Sequence, residues 1–272
     1  MGKKKELNIE EIIRLYTQEN YSANRLSKTF NVDVNTITNR LRSSGIEIKK
    51  HRKYLINSEY FESIDNEKKA YWLGFLMADG YNSGKFVRLD IQDSDHLEKL
   101  RDEIFINRDM PIRKKMSQTN KVVYYLTIQS EKIVSDLNKL GIVRNKSFLT
   151  EYPKIPQQFD KEFIRGLFDG DGCLTYSMDG KYRRYTFSIV GSHKLMNSVK
   201  EKLSLLNVHI GFRKTRSIYE IHIRGNKQII KILEYLYTDS FIFLERKYQK
   251  YDDFITWDGT KRDNKLTKLL NT

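Results

Sequence analysis

The sequence predicts an α+β protein in which a small all-helical module precedes one helix–strand–strand–helix–strand–strand–helix unit used twice. Three observations lead there. An apolar helix pattern closing on an acid and a glycine occurs twice, as W-L-G-F-L-M-A-D-G from Trp72 to Gly80 and I-R-G-L-F-D-G-D-G from Ile164 to Gly172. Period-two alternation, the mark of half-buried strands, follows each copy at a similar offset. Residues 7 to 48, by contrast, carry only helical periodicity.

The composition sets the bounds. The 272 residues are 39% hydrophobic and 31% charged with mixed signs, enough for a core and unlike a disordered chain. A net charge of +14 predicts attraction to a polyanion, against the plainer reading of a basic protein from an AT-rich coding sequence. Cys173 is the single cysteine, which excludes a disulfide framework or a cysteine-rich zinc site. No apolar run reaches the roughly 20 residues of a membrane span, and no signal-peptide core is present. The expected setting is therefore cytoplasmic and reducing, nucleoid-associated when on DNA, with an organelle also open.

Taken in order, residues 1–50 read as a helix-turn-helix module. Ile9, Ile12, Ile13 and Tyr16 recur at helical spacing. Ser22 caps a second helix holding Ala23, Leu26 and Phe30, and Asn31-Val32 turns the chain. Asp33 caps a third helix with Val34, Ile37 and Leu41 on one face, and Gly45 ends it. Its outward face carries Asn35, Thr36, Asn39, Arg40 and Arg42, types that contact base edges and phosphates. A three-helix packing module with no DNA role is the alternative. The basic run Lys49, Lys50, Arg52 and Lys53, with His51, opens a linker over 51–64.

The body divides into halves at 65–150 and 151–257, with a polar tail at 258–272. Asp65 and Asp160 are the expected caps of the two motif helices. Strand alternation follows at Phe86 to Gln92 and at Thr186 to Val190, then helices after Ser94 and Ser192. Further strands are expected at Pro111 to Met116, Val122 to Gln129, Ile210 to Thr215 and Ile218 to Arg224, with closing helices Lys132 to Leu140 and Gln228 to Tyr237. Leu89 matches Phe187, and Leu126 matches Ile221, across the halves. Leu89, Ile91, Leu126, Ile128, Phe187, Ile189, Ile210, Phe212, Ile221 and Ile223 fall in the apolar slots. Arg88, Asp90, Gln92, Arg113, Lys115, Thr127, Gln129, Arg184, Ser188, Arg213, His222 and Arg224 fall in the others. That second face suits reading of a DNA groove, or is an ordinary solvated face.

The motif helices explain the duplication. Gly74 and Ala78, and Gly166 and Gly170, place small residues at i and i+4, which lets two helix backbones approach closely. Asp79 and Asp171, 92 residues apart, then meet. Two carboxylates held together repel unless one is protonated or a cation sits between them. Carboxylate and carbonyl oxygens suit Mg²⁺ or Mn²⁺, which can activate water against a phosphodiester. A D-G pair that merely ends a helix is the alternative for either copy alone.

The two stretches resemble the paired signature of LAGLIDADG homing endonucleases in the single-chain, two-motif form, over roughly residues 60 to 255. The resemblance implies a pseudo-twofold αββαββα duplication with two saddle-shaped antiparallel sheets over DNA and the motif helices packed on the axis. It implies metal-dependent cleavage of both strands across the minor groove, with short 3′ overhangs. The family's metal acid is the eighth motif position, here Asp79 and Asp171, and the seventh, Ala78 and Gly170, offers backbone carbonyls. The sixth is often acidic, which fits Asp169 and not Met77. A basic residue near the metals corresponds to Lys146 and Lys247; Asp93 and Gly191 occupy corresponding strand-end sites, where a polar residue can position water in the family, which makes Asp93 a candidate.

The expectation is a monomeric, site-specific double-strand DNA endonuclease whose helix-turn-helix adds contacts beyond the cleaved site. A non-cleaving transcriptional regulator and an RNA-binding intron maturase are the competing readings. Self-splicing is not expected, since no Cys or Ser splicing block precedes the motifs.

Overall fold

The computed structural model describes residues 7–19, 21–48, 54–106, 110–144 and 150–257. The basic run at 49–53, Lys146 and the tail at 258–272 lie outside the described residues. Chain contacts divide into two compact units between Leu55 and Ile56.

The N-terminal unit holds α1 (Ile9–Thr17), α2 (Ala23–Phe30) and α3 (Val34–Ser43) around Ile12, Leu15, Tyr16, Leu26, Ile37 and Leu41. Ser22 accepts from Arg25 N at 3.2 Å and Asp33 from Asn35 N at 2.7 Å, so each side chain satisfies an orphan helix donor. Asn31 turns the chain in the left-handed region at φ 48° and Gly45 does so at φ 74°. Asn35, Asn39, Arg40 and Arg42 are exposed on α3, while Thr36 is half-buried.

The second unit begins earlier than expected. Ile56 bridges Phe105, and Tyr60, Phe61 and Ile64 are buried within it, so residues 56–64 are body and not linker. The first half runs α4 (Glu67–Asp79), β1 (Gly80–Asn82), β2 (Val87–Ile91), α5 (Ser94–Ile104), β3 (Arg113–Met116), β4 (Val122–Ile128) and α6 (Glu131–Lys139). The second runs α7 (Asp160–Asp171), β5 (Cys173–Asp179), β6 (Tyr182–Gly191), α8 (His193–Ser204), β7 (Gly211–Thr215), β8 (Ile218–Arg224), α9 (Asn226–Tyr237) and α10 (Glu245–Thr256). Each half forms an antiparallel sheet, in the orders β1-β2-β4-β3 and β5-β6-β8-β7. The architecture is the duplicated α+β arrangement.

Several details differ from the sequence reading. Asn66, not Asp65, caps α4 by accepting from Lys69 N at 3.0 Å; the Asp65 carboxylate instead takes the Lys69 ammonium at 3.0 Å. Asp160 is the first residue of α7, entered directly from a 3₁₀ turn at Gln157–Phe159, and its carboxylate accepts from Tyr152 and Lys202. Register also shifts the match between halves. Leu89 faces Leu126 and Ile189 faces Ile221, so Ile189, not Phe187, is the counterpart of Leu89. Gly191 faces Tyr219 as Ile91 faces Tyr124, whereas Asp93 precedes α5 as Ser192 precedes α8. Asp93 and Gly191 are therefore not equivalent. Along the strands the expected apolar slots are buried, except that Phe212 is half-buried.

Candidate active site

The site is built on the contact between α4 and α7. On α4, every residue from Ala70 to Met77 is buried, because its faces are covered by the sheets and by its partner. A Cβ on Gly74 would lie 2.1 Å from the Phe163 carbonyl oxygen, and one on Gly166 would lie 2.1 Å from that of Tyr71. The two backbones touch there, and only a residue without a side chain fits. Further along, a Cβ on Gly170 would lie 2.3 Å from the Ala78 Cβ and 3.6 Å from Asp79 Oδ2. The helix contact thus carries the Asp79 carboxylate to the last turn of α7, beside the residue that precedes Asp171. Both acids are exposed.

Lys247, on α10, reaches the end of α7. Its Nζ donates to the carbonyls of Phe168, Gly170 (3.2 Å) and Gly172 (2.6 Å). An ammonium has three N–H groups, and here each has a carbonyl partner. The side chain therefore closes the C-terminal end of α7, where the Phe168 carbonyl also accepts from Gly172 N and the helix dipole favours a cation. Burial pulls its pKa down to about 8, opposed by the negative charge of Asp169 and, less strongly, of Asp79 and Asp171.

Asp169, two residues before the end of α7, is fully buried. It accepts from Tyr71 Oη at 2.8 Å, Tyr237 Oη at 2.7 Å and Leu244 N at 2.8 Å. Burial raises its pKa, and the three donors oppose the rise. Since the Tyr71 hydroxyl donates to Asp169, His96 Nε2, 2.9 Å from it, must carry a proton and donate to Tyr71. Burial holds His96 down to about 3, so the ring is neutral. Arg165, also fully buried, donates to the carbonyls of Ile242 (3.0 Å) and Leu236 (2.8 Å). The sequence reading passed over Tyr71, His96, Arg165 and Tyr237. The available signal was polar residues on otherwise apolar helices, with I-R-G-L-F the plainest.

The donor set at the helix ends fits a hard divalent cation: two exposed carboxylates, from Asp79 and Asp171, and the Ala78 carbonyl as a further oxygen. The Gly170 carbonyl is already engaged by Lys247. Among the described residues no group of three or more His, Cys, Asp or Glu side chains could hold a metal. An ion at the motif acids would therefore keep water in its shell.

On the sheets, Arg88 and Asp90 lie opposite the buried face, half-exposed, with Arg113 and Lys115 exposed on β3. Gln92 and Gln129 are exposed just past the ends of β2 and β4. On the second sheet Arg184, Arg213 and Arg224 are exposed, and Ser188 and His222 face each other across β6 and β8. Many of these cations already have acidic partners: Arg88 and Lys115 with Asp90, Arg184 with Asp179, and Arg213 with Glu220. Asp93 is paired with Arg246 at 3.0 Å, which ties the first half to α10.

Residues 158–237 match the model of the LAGLIDADG-like domain family. That match falls on one of two copies of the same unit, and the copies meet through paired motif glycines. Residues 158–237 are thus a LAGLIDADG-like domain. Among curated proteins it is similar to reverse gyrase of Methanocaldococcus jannaschii, at 26% identity over 224 residues, or 75% of this chain. The chain spans only 13% of that protein. Among solved structures it is similar to the homing endonuclease I-WcaI bound to its DNA recognition sequence, at 10% identity and TM-score 0.49, covering 76% of this chain and 96% of that one. It is similar to the meganuclease I-AabMI bound to uncleaved DNA, at 14% identity and TM-score 0.47, covering 70% and 88%. It is also similar to full-length DUF199/WhiA from Thermatoga maritima, at 16% identity and TM-score 0.45, covering 79% and 70%. Among the described residues no helix of this chain is long and apolar enough to cross a membrane.

Proposed function

We propose that this chain is a two-motif LAGLIDADG protein that binds double-stranded DNA across the open faces of its two sheets and hydrolyses phosphodiester bonds at the ends of α4 and α7. The observation that carries the reading is the placement of Asp79 Oδ2 beside Gly170, the neighbour of Asp171, by two helices in backbone contact. A divalent cation, Mg²⁺ or Mn²⁺, supplies water activation and charge neutralisation when bound at such a carboxylate pair. Asp79 and Asp171 hold it. Lys247 fixes the carbonyls of the last turn of α7 and so the direction of Asp171; Lys146 would be its counterpart in the first half. The sheet cations place the duplex by its phosphates, and the N-terminal helices, with Asn35, Asn39, Arg40 and Arg42 outward on α3, extend the contact.

A DNA-binding regulator that does not cleave is the second reading. The Lys247 ammonium favours it, because it places a fixed positive charge on the Gly170 carbonyl, a candidate metal ligand. The two separate in one experiment. A randomised duplex library is incubated with the protein and Mg²⁺, and the ends are sequenced. Nuclease action gives metal-dependent double-strand ends, which Asp79→Asn and Asp171→Asn each abolish while duplex binding persists. Binding without ends in the wild type selects the regulator.

A further inference from the structure

The open sheet faces carry acids where a polyanion is proposed to dock, and the two halves place them on the same rung. In the first sheet Asp90 faces Tyr125, which faces Arg113. In the second Val190 faces Glu220, which faces Arg213. The rungs are equivalent, since the next residues along are Leu126 opposite Leu89 and Ile221 opposite Ile189. The acid has changed strand between the halves and kept its rung. Each acid holds cations down on its sheet. Asp90 takes the Lys115 ammonium at 2.8 Å and lies 3.0 Å from Arg88 Nε. Arg88 and Lys115 also sit over the Tyr125 ring, at 5.7 Å each. Glu220 accepts from Arg213 Nε at 2.5 Å, and its side chain is only 14% exposed.

A carboxylate on a DNA-facing surface repels phosphates and occupies cations that would bind them. It contributes favourably only where a base edge offers an amino donor, as cytosine N4 does in the major groove. Non-specific duplex presents phosphates everywhere and that donor only by chance. We propose that Asp90 and Glu220 are specificity-determining residues that keep Arg88, Lys115 and Arg213 from capturing non-specific duplex. The inference rests on the DNA-binding reading above.

The test measures affinity of the full chain for a random-sequence duplex by fluorescence anisotropy over a salt series without divalent cation. Asp90→Asn, Glu220→Gln and the double variant are compared with wild type. The control is Asp95→Asn, the same charge change on an exposed residue of α5. Asp90→Asn and Glu220→Gln should each bind about three- to tenfold more tightly, and the double variant more tightly still. The slope of log affinity against log salt should steepen by roughly one per freed cation, so more for Asp90→Asn than for Glu220→Gln. The control should leave the slope unchanged. Unchanged affinity and slope in both sheet variants, or an equal change in the control, overturns the proposal while DNA binding stands. No binding by wild type or any variant overturns the DNA-binding reading and the proposal with it.

Discussion

Gly74 and Gly166 play matching parts in the helix contact, yet the residues just before them do not: Leu73 is apolar and Arg165 is a buried cation. Three residues after each glycine the contrast repeats, with Met77 in one copy and Asp169 in the other, both buried. The polar residues of α7 have an identifiable task. Arg165 holds the carbonyls of Leu236 and Ile242, and Asp169 holds Leu244 N, so together they pin the connection from α9 to α10. In the first half Asn82, from β1, pins the end of α6 instead, donating to Ile142 O at 2.6 Å and Asn138 Oδ1 at 2.9 Å. A duplicated unit keeps what both copies need at their mutual contact. Each copy is free to anchor its outer segments by its own polar residues.

The largest effect should come from the shared feature. Gly74→Val and Gly166→Val each push a side chain into the partner backbone, and each should cost at least about 3 kcal/mol, seen as loss of the cooperative thermal transition. The effects should be equal; a mild effect in one copy alone would break the equivalence. Next comes the residue that differs. Arg165→Leu gives α7 the side chain of α4, but it leaves two buried carbonyls without donors and should cost about 2–4 kcal/mol by chemical denaturation. A neutral result would mean that α9 and α10 are positioned without it.

The effect that is smallest near neutral pH is the change in pH dependence, and it tests the relay that joins the halves. His96 titrates near 6.5 when unfolded and is held down to about 3 in the fold by burial. Between those values the unfolded chain binds the extra proton. The neutral ring's contribution is therefore complete above pH 6.5 and is lost as pH falls toward 3, by up to about 1.4 kcal/mol per pH unit. His96→Gln should flatten the stability profile across that window relative to wild type, measured by urea unfolding at several pH values. An unchanged profile would mean that the ring reaches water.

By itself the sequence determined the features that depend on near neighbours or on repetition. Ser22 and Asp33 cap their helices because a cap acts within three residues. The buried faces of β2, β4, β6 and β8 followed from alternation, and the meeting of the motif helices from their small residues. The tertiary structure decided the rest. The strand β1 has three residues and β5 buries only Leu174, so neither has a period to read. Asn66 displaced Asp65 as the cap because one residue of phase at a helix start is set by packing. Lys247 was legible as a basic residue near the acids, but its direction was not: the carbonyls it closes lie 75 to 79 residues away in the chain. Asp169 and Tyr71 are 98 residues apart. A buried polar contact at that range is fixed by the folded geometry that brings its donor and acceptor together, and no local pattern encodes it.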